Sequence, residues 1–230
     1  MKRSDVNRIM AEADAFIASF GFVLPPFARL KPAELVASHR RGNVSGIVDA
    51  RLGWDITDYG ESRFDEMGLF LFTVRNGSQV DLAAGRGMCY AEKIMISRDR
   101  QMSPMHRHIV KAEDIINRGG ATLALELFSS DDDGNPDPVA DVTVWCDGQP
   151  RNLRAGEILR LAPGESVTLM PGDWHAFWGE DGDVLIGEVS TVNDDLTDNV
   201  FREPIGRFST IEEDVEPTHL LVSDYDTWLT

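Results

Sequence analysis

Apolar positions fall into two textures along the 230 residues. Near the start, Val6, Ile9, Met10, Ala13, Phe16, Ile17 and Phe20 recur at steps of three and four, the spacing of one apolar helix face. Ser4 is placed to cap this helix and Gly21 to end it. "LPPF" then breaks the chain into an extended segment, and Pro32 to His39 reads as a second short helix, with Gly42 past its end. From about Gly53 short apolar runs alternate with turn signals: "GLFLFTVRNG", "CYAEKIMIS", "ATLALELF", "VADVTVWCDGQ", "EILRLAPGESVTLM" and "HAFWGEDGDVLIGEVS". Arg75-Asn76-Gly77, Asp147-Gly148 and Asp181-Gly182 read as the turns between strands. Many short strands with hairpin turns predict a mainly β fold, an antiparallel sandwich or barrel.

The expected organisation is one domain over residues 1–230, with a helical flank at 1–45, a barrel at about 53–208 and an acidic tail at 209–230 that packs as a strand or short helix. "SSDDDGNPDP" (129–138) reads as a polar surface loop rather than a linker.

Charge narrows the partners. Thirty-nine acids against 22 basic residues give a net charge of -17. Such a surface repels phosphate backbones and anionic lipids, so nucleic acid and membrane are not expected partners. Apolar content of 42% suffices for a core. Two cysteines, Cys89 and Cys146, make no disulfide framework. The N-terminus carries no apolar signal stretch and no run reaches the length of a membrane span. The expectation is a soluble, cytoplasmic protein with reduced thiols.

Chemistry concentrates in "PMHRHIVKAEDIINRGG", from Pro104 to Gly120. In a strand, positions i and i+2 share a face, so His106 and His108 point the same way. A turn across "IVKA" would carry Glu113 onto the next strand, beside them. His175, in "MPGDWHAFW", follows a Pro-Gly turn and opens another strand. Three imidazoles and a carboxylate suit one divalent ion: manganese, iron, cobalt, nickel or zinc. Taken alone, a His-x-His pair is as readily an ordinary surface feature.

The spacing His-x-His-x4-Glu-x6-Gly, ending at Gly120, resembles the first motif of the cupin superfamily. Gly164-x5-Met170-Pro171-Gly172-x2-His175 is similar to the second. Arg100 stands where the first motif's leading glycine falls, Met170 where the second motif's proline falls (Pro171 is one place late), and Gly179 where its final asparagine falls. "GFVLPPFA", "LGWDITDYG", "LFTVRNGS", "CYAEKIM", "EDIINRGG", "FWGEDGDVLIGEVSTVNDD" and "DNVF" together resemble the cupin-type D-lyxose isomerases, over Met1 to about Asp214. That resemblance implies a jelly-roll-like antiparallel β-barrel and conversion of D-lyxose to D-xylulose, with D-mannose to D-fructose as a related activity. It also implies a divalent metal, usually manganese, and a homodimer.

The resemblance places Lys93 in the pocket. Its alternative is an edge-strand lysine that guards against aggregation. Glu188 sits in an apolar strand: inward, it is a candidate base; outward, an ordinary solvated acid. Asp194 and Asp195, beside Asn193, either bind sugar hydroxyls and move protons or form a polar turn. Arg207, in the matching segment "EPIGRF", is a candidate clamp for substrate. Trp174 and Trp178 either pack on a sugar's C–H face or fill the core, and Phe177 reads as core. His39 and His219 have no partners at ligand spacing.

The leading expectation is a metal-dependent aldose–ketose isomerase that moves protons through an enediol. A cupin dioxygenase would use the same ligands but favours an apolar pocket. A non-catalytic sugar-binding cupin would not need a complete metal set.

Overall fold

The structure, a computed structural model, describes residues 1–229. Helix α1 (Arg3–Ser19) buries Val6, Ile9, Met10, Ala13 and Ile17 along the expected face. Each such side chain contributes about 1.5–3 kcal/mol on burial. Gly21 ends the helix in the left-handed region at φ 77°. Ser4 is not its cap. The helix already runs from Arg3, and the Ser4 backbone N–H and hydroxyl both donate to the Asp214 carboxylate, at 2.9 and 2.7 Å. Helix α2 (Pro32–Arg40) follows, with the Glu34 carboxylate accepting from the Lys31 N–H at 2.8 Å. A third helix, α3 (Ser45–Asp49), is too short to show a periodicity in sequence.

Among the described residues eleven strands form one antiparallel network. They are β1 (Gly53–Thr57), β2 (Leu69–Arg75), β3 (Tyr90–Ser97), β4 (Ser103–His108), β5 (Glu113–Phe128), β6 (Val142–Cys146), β7 (Gln149–Leu153), β8 (Ile158–Leu161), β9 (Ser166–Leu169), β10 (Trp174–Thr191) and β11 (Asn199–Phe201). The order is β1-β2-β3-β10-β5-β9-β6-β7. β4 pairs β10 and β11, and β8 pairs β5.

The run "GLFLF" is apolar throughout because β2 is covered on both faces. Leu69 and Leu71 point into the barrel core with Met95, Ile115, Leu125 and Ile186. Phe70 and Phe72 point the other way and meet α1 together with Trp54, Ile56, Ile94 and Ile96.

The turns divide. Asp147-Gly148 joins β6 to β7 as expected, with both residues at positive φ, 49° and 79°, as a tight right-twisting hairpin requires. Arg75-Asn76-Gly77 instead leads into helix α4 (Gln79–Ala83), and the Asn76 side chain ties that segment to the Asn193 carbonyl at 2.9 Å. Asp181-Gly182 is not a turn but a bulge inside β10. Glu180 faces Thr122 and Val184 faces Gly120, so β10 carries two extra residues over that stretch. Its partner bends there too: a Cβ on Gly120 would lie 2.3 Å from the Asp183 carbonyl oxygen.

The acidic tail is woven into the body. Lys2 bridges Glu212, and the fully buried Arg3 holds Glu213 at 2.6 Å and Asp224 at 2.9 Å. The last element is the single-turn helix α5 (Tyr225–Trp228). Among the described residues no helix is long and apolar enough to cross a membrane.

Candidate metal centre and active site

His106 and His108 end β4, and Glu113 opens β5. The connection between them is shaped by Asp198, whose carboxylate accepts from the backbone N–H groups of Ile109, Val110 and Lys111 at 2.9, 2.7 and 2.9 Å. This tight return brings Glu113 under the histidines. His175, at the start of β10, pairs directly with His106 across the sheet.

The three imidazoles offer ring nitrogens within 4.8 Å of one another. Each Nδ1 meets a carbonyl oxygen: His106 at Pro104, 2.9 Å; His108 at Asp198, 3.3 Å; His175 at Asp173, 3.1 Å. A carbonyl only accepts, so Nδ1 carries a proton in each ring, and the neutral form of the ring presents its Nε2 lone pair inward. Glu113 Oε1 lies 3.3 Å from His108 Nε2 and 3.2 Å from His175 Nε2. These three atoms are buried and have no hydrogen-bond partner among the described residues.

Converging acceptors with no donor between them are unfavourable unless a cation sits there. Burial, reinforced by neighbouring histidines, pushes the His106 imidazole well below its usual range, and burial beside Lys111 lowers His108. Burial alone would raise Glu113, but Lys111 and His108 overcome it and hold the carboxyl well below the usual carboxylate range. A neutral His106, a neutral His108 and an ionised Glu113 are in the protonation states that metal binding needs. The donor set fits a divalent ion of the manganese-to-zinc group.

One wall of the pocket is a chain of buried charges. Lys111 Nζ lies 2.6 Å from Glu113 Oε2 and 3.0 Å from Glu188 Oε1. Lys93 lies 3.4 Å from the same Glu188 oxygen and 3.7 Å from Asp195, and donates to Asn193 Oδ1 at 2.7 Å. Arg207 Nη2 completes the chain, 3.3 Å from Asp195 and 2.8 Å from Asp55. Burial opposes ionisation of Asp195, yet Arg207, Lys93 and Lys111 hold it far below its usual range. Burial would lower Lys111, and Glu113 and Glu188 reverse the sign. The cavity encloses about 450 Å³ with its mouth, and Tyr59, Ser103, Phe177 and Phe201 line its remaining sides.

Lys93, Glu188, Asp195 and Arg207 therefore meet at the pocket, as do His106, His108, Glu113 and His175. Two candidates do not. Asp194 lies outside; its carboxylate accepts from the N–H groups of Leu196 and Thr197 and from the Thr197 hydroxyl, the polar-turn alternative. Trp174 neighbours His175 on a strand and so faces away. Its indole donates to the Gly134 carbonyl at 3.1 Å, and its ring packs with Met105 and Ala176 under Arg107.

Sequence reasoning missed Lys111, Asp55, Tyr59 and Ser103. Lys111 sits in a turn, where a lysine ordinarily reads as solvated. Asp55 carried a signal, an acid between Trp54 and Ile56 in a short strand. Two departures from the cupin motifs touch each other: the Arg100 N–H donates to the Gly179 carbonyl at 2.8 Å. Arg100 holds the positive φ, 58°, that a glycine would take without strain. At Gly179 a Cβ would come within 2.5 Å of the Gly182 carbonyl oxygen, so no asparagine fits.

Comparison with known proteins identifies the family. The model of the D-lyxose isomerase family matches residues 1–225. The chain is 49% identical to a D-lyxose/D-mannose isomerase of Serratia proteamaculans over 229 residues, 98% of each chain. It is 46% identical to a D-lyxose/D-mannose isomerase of Escherichia coli O157:H7 over 224 residues, 96% of each. Among solved structures, L-ribose isomerase of Acinetobacter sp. DL28, in a mutant complex with L-ribose, superposes with a TM-score of 0.62 at 14% identity, covering 92% of this chain and 98% of that one. The Cellulomonas parahominis L-ribose isomerase gives the same score at 17% identity and the same coverage; these likenesses speak to the cupin-type barrel alone. A barrel with a four-donor cluster beside a chain of buried charges, matched by the family model from its first residue to its last helix, belongs to the D-lyxose isomerase family, and the protein is an aldose–ketose sugar isomerase.

Proposed function

We propose that this enzyme interconverts D-lyxose and D-xylulose, and D-mannose and D-fructose, by proton transfer through an enediol. One observation carries the reading: the unpartnered inward atoms of His108, His175 and Glu113 lie beside the Lys111–Glu188–Lys93 chain. A divalent ion held by His106, His108, His175 and Glu113 would act as a Lewis acid toward the sugar's O1 and O2. Manganese is the first choice, and a homodimer the expected assembly; both rest on the family resemblance.

Glu188 takes the proton from C2 and returns it to C1. Lys111 and Lys93, at 3.0 and 3.4 Å from it, keep that carboxylate placed and move a proton between the two oxygens. Asp195 anchors Lys93 from the other side. A hydride shift usually needs two metals in a carboxylate-rich site, and this cluster gathers four donors around a single point.

Incubation of the manganese-loaded protein with D-lyxose in D2O tests the proposal. The expected product, by NMR after metal removal, is D-xylulose deuterated at C1. D-xylulose without deuterium would favour a hydride shift or a shielded proton, and no ketose from either aldose would overturn the reading. Replacing Lys93 by Ala should leave the metal bound while turnover collapses; a fully active Lys93→Ala removes it from the mechanism.

A further inference from the structure

Arg207 sits at the end of the charge chain remote from the metal ligands. Its Nη2 serves Asp55 and Asp195, while its Nη1 is buried, lies in the pocket wall and has no partner among the described residues. A buried guanidinium nitrogen without an acceptor implies that a ligand oxygen belongs there. What aims it is β1 and the residues just after it. Asp55 is 1% exposed and takes Nη2 at 2.8 Å. The Thr57 hydroxyl donates to the Arg207 carbonyl at 2.7 Å, the Asp58 N–H donates to Ser209 Oγ at 2.7 Å, and the Gly206 N–H donates to the Tyr59 carbonyl at 3.1 Å. Tyr59 holds a positive φ, 55°, in this clasp, and its hydroxyl pairs with Ser103 at 3.0 Å. Its buried phenol is pushed up to about 12, so it stays protonated and polar. Rings step from the metal cluster toward this end: His106 to Phe201, then Phe201 to Tyr59, each 5.7 Å between centres.

We infer that Asp55 is a positioning residue: it fixes Arg207 so that Nη1 meets the hydroxyl at the far end of the sugar chain, remote from C1 and C2. This rests on the isomerase reading for which end of the sugar faces the metal cluster. Asp55 does not touch the substrate. Its carboxylate removes the other side of the guanidinium from competition and leaves one direction for recognition.

The test compares D-lyxose with 5-deoxy-D-lyxose, which lacks the terminal hydroxyl, on metal-loaded wild-type protein and Asp55→Asn. The wild type should bind the deoxy sugar about tenfold more weakly, the scale of one hydrogen bond to a charged group. Asp55→Asn should raise KM for D-lyxose by a similar factor while kcat falls much less and metal content is unchanged. With the deoxy sugar the two proteins should have the same KM. Equal wild-type KM for both sugars would overturn the inference even if the variant failed to fold. So would a variant equally impaired toward both. Calorimetry reads the same ratios as Kd, independently of turnover. A wild type that shows the tenfold ratio but makes no ketose would refute the isomerase reading and keep the Arg207–Asp55 assignment.

Discussion

Replacing Lys111 by Met tests the charge chain where it is most buried. The Lys111 side chain is 3% exposed and touches two carboxylates, Glu113 at 2.6 Å and Glu188 at 3.0 Å. At an effective dielectric of about 20 each contact carries on the order of 5 kcal/mol of attraction. Desolvation takes back much of this, and removal of one partner from a buried ion pair costs about 3–5 kcal/mol. For a chain of this size that is a fall in Tm of about 6–20 °C. The assay is thermal unfolding of both proteins in chelator at neutral pH. Glu113 is depressed in the fold, so its contribution is present above the unfolded carboxylate pKa and is lost as pH falls through the folded value. Lys111 is raised, so its contribution is present below the unfolded lysine pKa and is lost as pH rises past it. The gap between wild type and variant should therefore be flat from about pH 6 to 9 and shrink in acid. Added manganese should narrow it, since a cation beside Glu113 replaces part of the lost charge. A gap below about 1 kcal/mol at neutral pH, the scale of an exposed pair, would refute the argument.

Other outcomes follow from the same geometry. Glu113→Gln should weaken metal binding by at least about 100-fold, the upper range for losing a supporting group of a metal site, and should abolish isomerisation; calorimetric titration reads the first. Trp174→Phe should leave KM within about twofold of wild type while costing about 1 kcal/mol for the lost bond to the Gly134 carbonyl, and a large KM rise would restore it to the pocket. His219 stacks on Trp54 and donates to the Leu30 carbonyl at 2.9 Å, and burial lowers its pKa. A neutral folded histidine favours unfolding as pH falls through about 6.5, so wild type should lose more stability than His219→Gln between pH 7.5 and 5.5, by up to about 1 kcal/mol. Identical slopes would remove His219 from that account.

The clustering of the candidate metal ligands was legible because the i, i+2 rule and a Pro-Gly turn are local signals. The same rule, applied one residue back from His175, turns Trp174 away from the pocket. The run "GLFLF" announced a strand but not which phenylalanines would meet a helix more than fifty positions earlier. Lys111 was hidden because Asp198 and Thr191, on distant segments, fold its turn inward. Asp194 and Asp195 are adjacent acids with opposite fates. Which of them enters is decided by the cations Lys93 and Arg207, contributed by segments far away in sequence.

The bulge at Asp181-Gly182 has a consequence for strand phase. His175 and Glu188 are an odd number of positions apart, so on an unbroken strand they would face opposite sides. Here Phe177 points into the barrel before the bulge, and Val184 and Ile186 after it, so the inward set passes from odd to even numbers. Two extra residues in β10 against one in β5, at Arg118, leave a net offset of one, and that offset, not the identity of Glu188, brings its carboxylate to Lys93 and Lys111. Deleting one residue there would leave His175 with its partners and swing Glu188 out to solvent, with the half-exposed Val189 taking its place. At that point chain length is a stricter requirement than side-chain type. A one-residue indel separates a pocket that keeps the Glu188 carboxylate beside its two lysines from one that loses it.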